Sequence, residues 1–354
     1  MRRKLFFPIL LCAGLAVGLW LTACEQEEDD SGDDYEFEYF YAIPSEESLR
    51  LEVPGAHYDS DDYGSKAVGD QAKYYKETVQ HTRDVNAHIL GMLSVIDEIT
   101  GYPYTERSGD TFTWGPWQDS GLDQAQGRFI LEHLGGNTFD YLFQWRPKDS
   151  NSEGDWVTVW EGHVETSVDT ARRGVGYFSI DFDAASQIDW TVEERGQIVS
   201  EYDTISDGRE INLEFVNFID DADDEDAQAV NAEYFYHNRD DNSGYFLYEW
   251  YLDIYAEDAG DDQIEHAWFN TRWQSDGAGR TDAVIGEGDI ADLEPIPGIG
   301  VDSFHTTECW GSDYLRTYYA EGAELDNGSD FTDPDKIEGS ESDCVFDEEL
   351  PEAK

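Results

Sequence analysis

Phe139-Asp140-Tyr141-Leu142-Phe143-Gln144-Trp145 carries an aromatic ring at every second position. Successive side chains of a strand point to opposite faces, so Phe139, Tyr141, Phe143 and Trp145 line one face, and Asp140, Leu142 and Gln144 the other. That is the pattern of a strand with one face against a core. The same period recurs on both sides of it, in Trp156 to Trp160, Val175 to Phe182, Ile211 to Phe218, Tyr234 to His237, Tyr245 to Tyr255, Ile264 to Trp273 and Tyr314 to Tyr319. Clusters of turn residues separate these stretches: Gly135-Gly136-Asn137, Asp149 to Gly154, Asp207-Gly208, Asp220 to Asp226, Asp240 to Gly244, Asp258 to Asp262 and Ser275 to Gly279. Short polar turns join antiparallel neighbours, because parallel strands need long crossovers. From Thr111 to Tyr319 the chain therefore reads as an antiparallel meander. Earlier, Tyr35 to Tyr41 and Leu49 to Val53 alternate in the same way and read as edge strands, the second stopped by Pro54-Gly55.

One segment breaks the period. Between residues 68 and 99, Ala72, Tyr75, Val79, Asn86, Ile89, Leu90, Leu93, Ile96 and Ile99 fall mostly on one face of a helix, with Gly69-Asp70 before it and Gly101 and Pro103 after it. Tyr245 to Leu252 is apolar on both faces, which predicts that something covers the second face of the sheet. The expected fold is mainly β: a large curled antiparallel sheet or partly open barrel of about 10–13 strands, with the long N-terminal amphipathic helix packed on it. This helix-first, many-stranded order is similar to the curled half-barrels of bacterial lipoprotein carriers, a likeness of topology that carries no shared motif.

The first residues set an address. Arg2, Arg3 and Lys4 precede an apolar run from Leu5 to Leu19 that is short for a bilayer span, followed by Leu21-Thr22-Ala23-Cys24. The last four residues resemble the lipobox of bacterial lipoproteins. The resemblance implies cleavage before Cys24, acylation of Cys24 on its sulfur and its new amino group, and a membrane partner held through that anchor. Each buried CH2 contributes roughly 0.8 kcal/mol, and more than one chain is needed for a lasting anchor. Glu25, where lipoproteins kept in the inner membrane often carry Asp, points to the outer membrane, on its periplasmic face or at the cell surface. The expected organisation is a signal peptide over 1–23, an acidic tether over 24–47, a single β domain over 48–325, and an acidic tail over 326–354.

Charge narrows the partners. The chain has 80 Asp and Glu against 22 Lys and Arg, a formal net charge of -58, which excludes nucleic acid because phosphate neutralisation requires clustered basic residues. Its 39% hydrophobic and 14% aromatic content is too rich for disorder and implies a folded body with an acidic surface. Of four cysteines, Cys12 belongs to the signal segment and Cys24 to the lipobox. Cys309 and Cys344 remain, and in an exported protein they are expected to pair, clipping the tail to the body. For a loop of this length the chain-entropy model assigns the bridge about 3 to 4 kcal/mol.

Catalytic motifs are missing: there is no GxSxG, Walker loop, HExxH or dinucleotide fingerprint, so no catalytic residue, cofactor or metal is assigned. Asp220 to Asp226 is the densest acidic run, but it lacks the glycine and terminal glutamate of a calcium loop and reads as a solvated hairpin loop rather than a calcium site. His81 and His88 share the helix, while His133, His163, His237 and His266 lie on strands. His163, between Glu161 and Glu165, is the one placed for raised basicity or metal binding if a partner strand supplies ligands. Trp114-Gly115-Pro116-Trp117 offers either a stacking surface or a plug for the sheet. Three readings follow for an envelope lipoprotein: an apolar ligand held in the curled sheet, a surface-displayed interaction or glycan-binding protein, and a hydrolase using paired carboxylates.

Overall fold

The computed structural model describes residues 42–55, 67–117, 124–167, 172–206, 208–222, 227–252, 264–286, 288, 300–325 and 327–349. The expected signal segment, Cys24, the Tyr35 to Tyr41 stretch and the acidic residues 223–226 lie outside them.

The strands are β1 (Glu106–Ser108), β2 (Thr111–Trp117), β3 (Ala125–Gly135), β4 (Thr138–Pro147), β5 (Val157–Thr166), β6 (Gly174–Asp181), β7 (Arg195–Asp203), β8 (Arg209–Ile219), β9 (Val230–Asn238), β10 (Gly244–Leu252), β11 (Glu265–Trp273), β12 (Gly279–Gly286), β13 (Val301–Trp310), β14 (Arg316–Leu325), β15 (Asp330–Thr332) and β16 (Glu338–Gly339). They form a 16-stranded sheet in sequence order, with β16 pairing on β14 and the path left open. The fold is therefore mainly β and antiparallel, as expected, with more strands than the pattern predicted. The hairpin turns have their physical causes in the sequence. Gly135 and Gly136 take φ of 104° and 63° between β3 and β4, a region that favours glycine. Between β9 and β10, Asn242 takes φ of 65°, and Asp241 accepts the N–H of Ser243 at 2.9 Å.

Four long strands lacked a visible period. β3, β7, β12 and β13 were not read from the sequence, and β12 shows why: Gly279 to Val284 are buried on both faces, so nothing alternates. Leu49 to Val53 is not an edge strand. Ser45 caps a short helix, α1 (Glu46–Leu49), by accepting the N–H of Ser48 at 3.1 Å. The alternation of Leu49, Leu51 and Val53 instead reflects their burial. The backbone of Glu52 is satisfied by one side chain: the Tyr236 hydroxyl accepts its N–H and donates to its carbonyl, both at 2.8 Å. Ala42 and Ile43, read as part of the tether, are also buried.

Two further helices are present: α2 (Lys73–Thr100) and α3 (Phe182–Ile188), the latter capped by Asp181, which accepts the N–H of Ala184 at 2.8 Å. Among the described residues no helix is long and apolar enough to cross a membrane.

The chain divides into two compact units. The first comprises Met1–Arg50, Asn86–Ser206 and Phe215–Ala229; the second comprises Leu51–Val85, Asp207–Glu214 and Val230–Lys354. In the first, Phe139, Tyr141 and Phe143 of β4 are buried with Phe129 and Leu131 of β3, Val164 of β5, Phe178 of β6 and Ile198 of β7. Each such side chain contributes about 1.5 to 3 kcal/mol. Tyr141 lies across Gly162, its register partner on β5. A Cβ on Gly162 would stand 2.2 Å from the Tyr141 ring. The Ile89, Leu93 and Ile96 side of α2 is buried in this unit, and Arg172 joins Asp97 by an ion pair.

In the second unit, the start of α2 meets the strands through Tyr74 against Phe269, with centroids 6.0 Å apart, and Tyr75 against Trp310 at 5.8 Å. A line of hydroxyls joins Thr78 to Thr271 at 3.0 Å and Thr271 to Thr281 at 2.8 Å. The expected bridge is present: Cys309 and Cys344 are joined with an S–S distance of 2.06 Å.

Candidate functional site

The outer side of the first unit brings together residues that are far apart in sequence. The ladder places Asp140 of β4 opposite His163 of β5, His163 opposite Tyr177 of β6, and Tyr177 opposite Glu201 of β7. Asp140 and His163 bond at 2.5 Å between Oδ1 and Nδ1. The His163 and Tyr177 rings stack with centroids 5.8 Å apart and planes 16° from parallel. The Asp140 and His163 side chains are 44% and 32% exposed, and Tyr177 is 45% exposed. Asp140 thus holds the ring through Nδ1. Glu161 and Glu165 on β5 are exposed on either side of His163. The result is an accessible aromatic platform edged by carboxylates.

Sequence reasoning found His163 and its strand neighbours but not Asp140 or Tyr177 as partners. Their assignment needs the register, which a single strand's pattern does not encode. Among the described residues no group of three or more His, Cys, Asp and Glu is placed to hold a metal.

Five other histidines pack against aromatic rings. Burial of His81 against Tyr248 and Trp250, at 5.0 and 4.6 Å, pushes its imidazole down to about 4, so it is neutral at pH 7. His88 meets Phe215 and Phe218 edge-on at 6.1 and 5.7 Å. His133 stacks on Phe139 at 4.8 Å, and His237 meets Tyr245 at 5.3 Å. His266 stacks on Tyr251 at 3.8 Å and lies 3.3 Å from a Glu249 oxygen.

The tryptophan pair is turned inward. Trp114 is buried against Phe129 at 5.7 Å and donates to the carbonyl of Tyr102 at 2.7 Å, while Trp117 lies beside Phe143 at 6.2 Å. Trp190, in the turn after α3, is a large hydrophobic side chain left 74% exposed, a residue the sequence pattern did not mark.

Two carboxylates that are fully buried in the second unit face arginines rather than one another. Glu308 pairs with Arg316 at 2.5 Å, and Asp282 accepts from Arg280 at 2.8 and 2.9 Å and from Arg272 at 2.9 Å. Each acid is thereby committed as an ion-pair partner. Asp282 also accepts the N–H of Glu349, and Arg272 donates to the carbonyl of Asp347 at 2.7 Å and to the Glu349 carboxylate at 2.5 Å, so the end of the chain lies against this cluster.

Searched against protein-family models, curated proteins and solved structures, the chain has no match.

Proposed function

We propose that this chain is a lipid-anchored protein of the cell envelope, tethered through Cys24 and favouring the outer membrane, that binds a polyhydroxylated ligand such as a glycan. The carrying observation is the row Asp140, His163, Tyr177, Glu201 on the accessible side of β4 to β7. A sugar lays its C–H face on an aromatic ring while its hydroxyls donate to carboxylates, and this row offers both within neighbouring strands.

In this reading α2 packs on the strands of each unit. Contacts of Tyr74 and Tyr75 support that packing in the second unit, and those of His88 support it in the first. An apolar ligand beneath α2 would have to displace the rings already packed there, such as Tyr248 on Phe269 with centroids 4.5 Å apart. A hydrolytic role built on the buried acids would need two of them facing one another, whereas Asp282 and Glu308 face arginines.

The test is binding of the full chain to an immobilised panel of oligosaccharides, followed by calorimetry on any hit with Tyr177→Ala and Asp140→Asn. Loss of roughly tenfold in affinity, about 1.4 kcal/mol, in Tyr177→Ala supports the reading. No retained glycan, or binding by both variants as tight as that of the wild type, overturns it. Mass spectrometry of protein extracted from its native membrane tests acylation of Cys24 separately.

A further inference from the structure

The end of the chain is held in two different ways. As far as Gly339 it is fixed by backbone ladders, β15 on β14 through Gly322 and Thr332, and β16 on β14 through Tyr318 and Gly339. Beyond Ser340 the chain is held to the body by the disulfide and by a set of polar contacts. Arg280 Nη1 donates to the carbonyl of Phe346 at 3.2 Å, and Asn270 to that of Glu349 at 3.2 Å. The Arg280 guanidinium also lies 3.7 and 3.9 Å from Glu341 and Glu348. Little apolar surface is buried in return: Val345, Asp347, Glu348 and Glu349 are exposed, and Phe346 is half-buried beneath Arg272. Contacts of this kind weaken as salt rises.

The bridge itself is asymmetric. Cys309 is completely buried on β13, with Arg280 as its register partner on β12, whereas Cys344 is partly exposed.

We propose that Cys309–Cys344 is a redox clasp that keeps residues 340–349 closed over the Arg272, Arg280 and Asp282 face and releases them when a dithiol reductant acts on it. A thiolate of the dithiol attacks the reachable sulfur of Cys344, and the S–S bond breaks. Cys309 leaves as a thiolate on the strand paired, at this position, with Arg280 of β12 and then takes a proton. The second sulfur of the dithiol closes its own disulfide and frees Cys344 as a thiol. Two electrons pass from the dithiol to the bridge, and the dithiol is oxidised. The tail is then held by its polar contacts and by the Phe346 ring against Arg272, and once these loosen the arginine face opens to solvent.

The experiment treats the native full chain with dithiothreitol at high salt. It counts alkylatable cysteines by mass, and it follows cleavage at Glu341, Glu348 and Glu349 by a glutamate-specific protease while the melting transition is monitored. Reduction without loss of the fold, with cleavage in this segment faster by roughly tenfold or more, is the expected result. Cys344→Ser, which leaves Cys309 in place, is expected to be cleaved at the fast rate with or without reductant. A bridge that resists the dithiol until the protein unfolds overturns the proposal. So does a segment that stays protected after reduction or in Cys344→Ser.

Discussion

Arg316 Nε donates to Glu308 Oε1 at 2.6 Å, and neither side chain reaches solvent. The same carboxylate receives the N–H of Lys73 at 3.0 Å and that of Tyr74 at 2.5 Å, the first two residues of α2. Orphan N–H groups at a helix start are ordinarily met by a local Ser, Thr, Asp or Asn. Here the acceptor comes from β13, far away in sequence. One buried acid therefore joins a helix start, β13 and β14.

Removing either partner leaves an uncompensated buried charge, which typically costs 3 to 5 kcal/mol, while replacing both with apolar residues of similar volume is far milder. Glu308→Leu and Arg316→Met are each expected to be destabilised by about that amount. The double variant Glu308→Leu/Arg316→Met is expected to recover at least half of it. Urea unfolding of the four proteins measures the cycle. Additive losses would show that the pair does not act as a unit.

Stability should respond to pH through the same residue. Burial pushes the Glu308 carboxyl above its ordinary value, while Arg316 and the two backbone N–H groups pull it back down. With the folded value above the unfolded one, the folded state binds the proton more readily, so stability from this group is complete below the unfolded value and is lost as pH rises through the folded one. Melting temperatures measured from neutral pH down to about pH 5 are expected to rise in the wild type. Glu308→Gln is expected to lack that increment. Parallel profiles for the two proteins would assign the pH dependence to other carboxylates.

How much of this was legible in the sequence varies with the physics behind each element. The aromatic period of β4 is written in its residues because one face of that strand is dry and the other wet. The Cys309–Cys344 pair was reached by elimination among four cysteines. β12 was hidden because Arg280 and Asp282 are buried by the end of the chain on one side and Thr281 is buried on the other, so charged residues occupy positions that ordinarily report solvent. Leu49 to Val53 misled because burial can alternate without a ladder when a side chain such as Tyr236 satisfies the backbone. α3 carries its cap, Asp181, in plain view, but seven residues are too few to show a helical period. The Asp140, His163, Tyr177 row was illegible for a different reason: pairing register is a property of two strands at once.

Register also makes Gly162 a sensitive position. The Tyr141 ring occupies the space where a Cβ would stand, and Tyr141 is almost wholly buried, so neither group has room to move. Gly162→Ala is expected to lose about 1 to 3 kcal/mol by overpacking. Gly162→Ala/Tyr141→Leu, which removes the ring, is expected to regain part of that loss. Thermal melts of both variants provide the measurement, and a single variant as stable as the wild type would contradict the packing described.

Salt tests the surface as a whole. At a formal net charge of -58 the folded chain repels itself more strongly than the expanded unfolded chain does, and this repulsion is screened over about 8 Å at physiological ionic strength and about 3 Å at molar salt. Stability is therefore expected to rise steadily from millimolar to molar sodium chloride. The buried Glu308 and Arg316 pair, which ions do not reach, is expected to contribute equally at both ends. Unfolding in urea at each salt concentration, with the Glu308→Ala difference measured alongside, separates the two effects. A flat wild-type profile would mean that the acidic surface is already balanced locally, and a Glu308→Ala difference that shrinks with salt would mean that water reaches the pair.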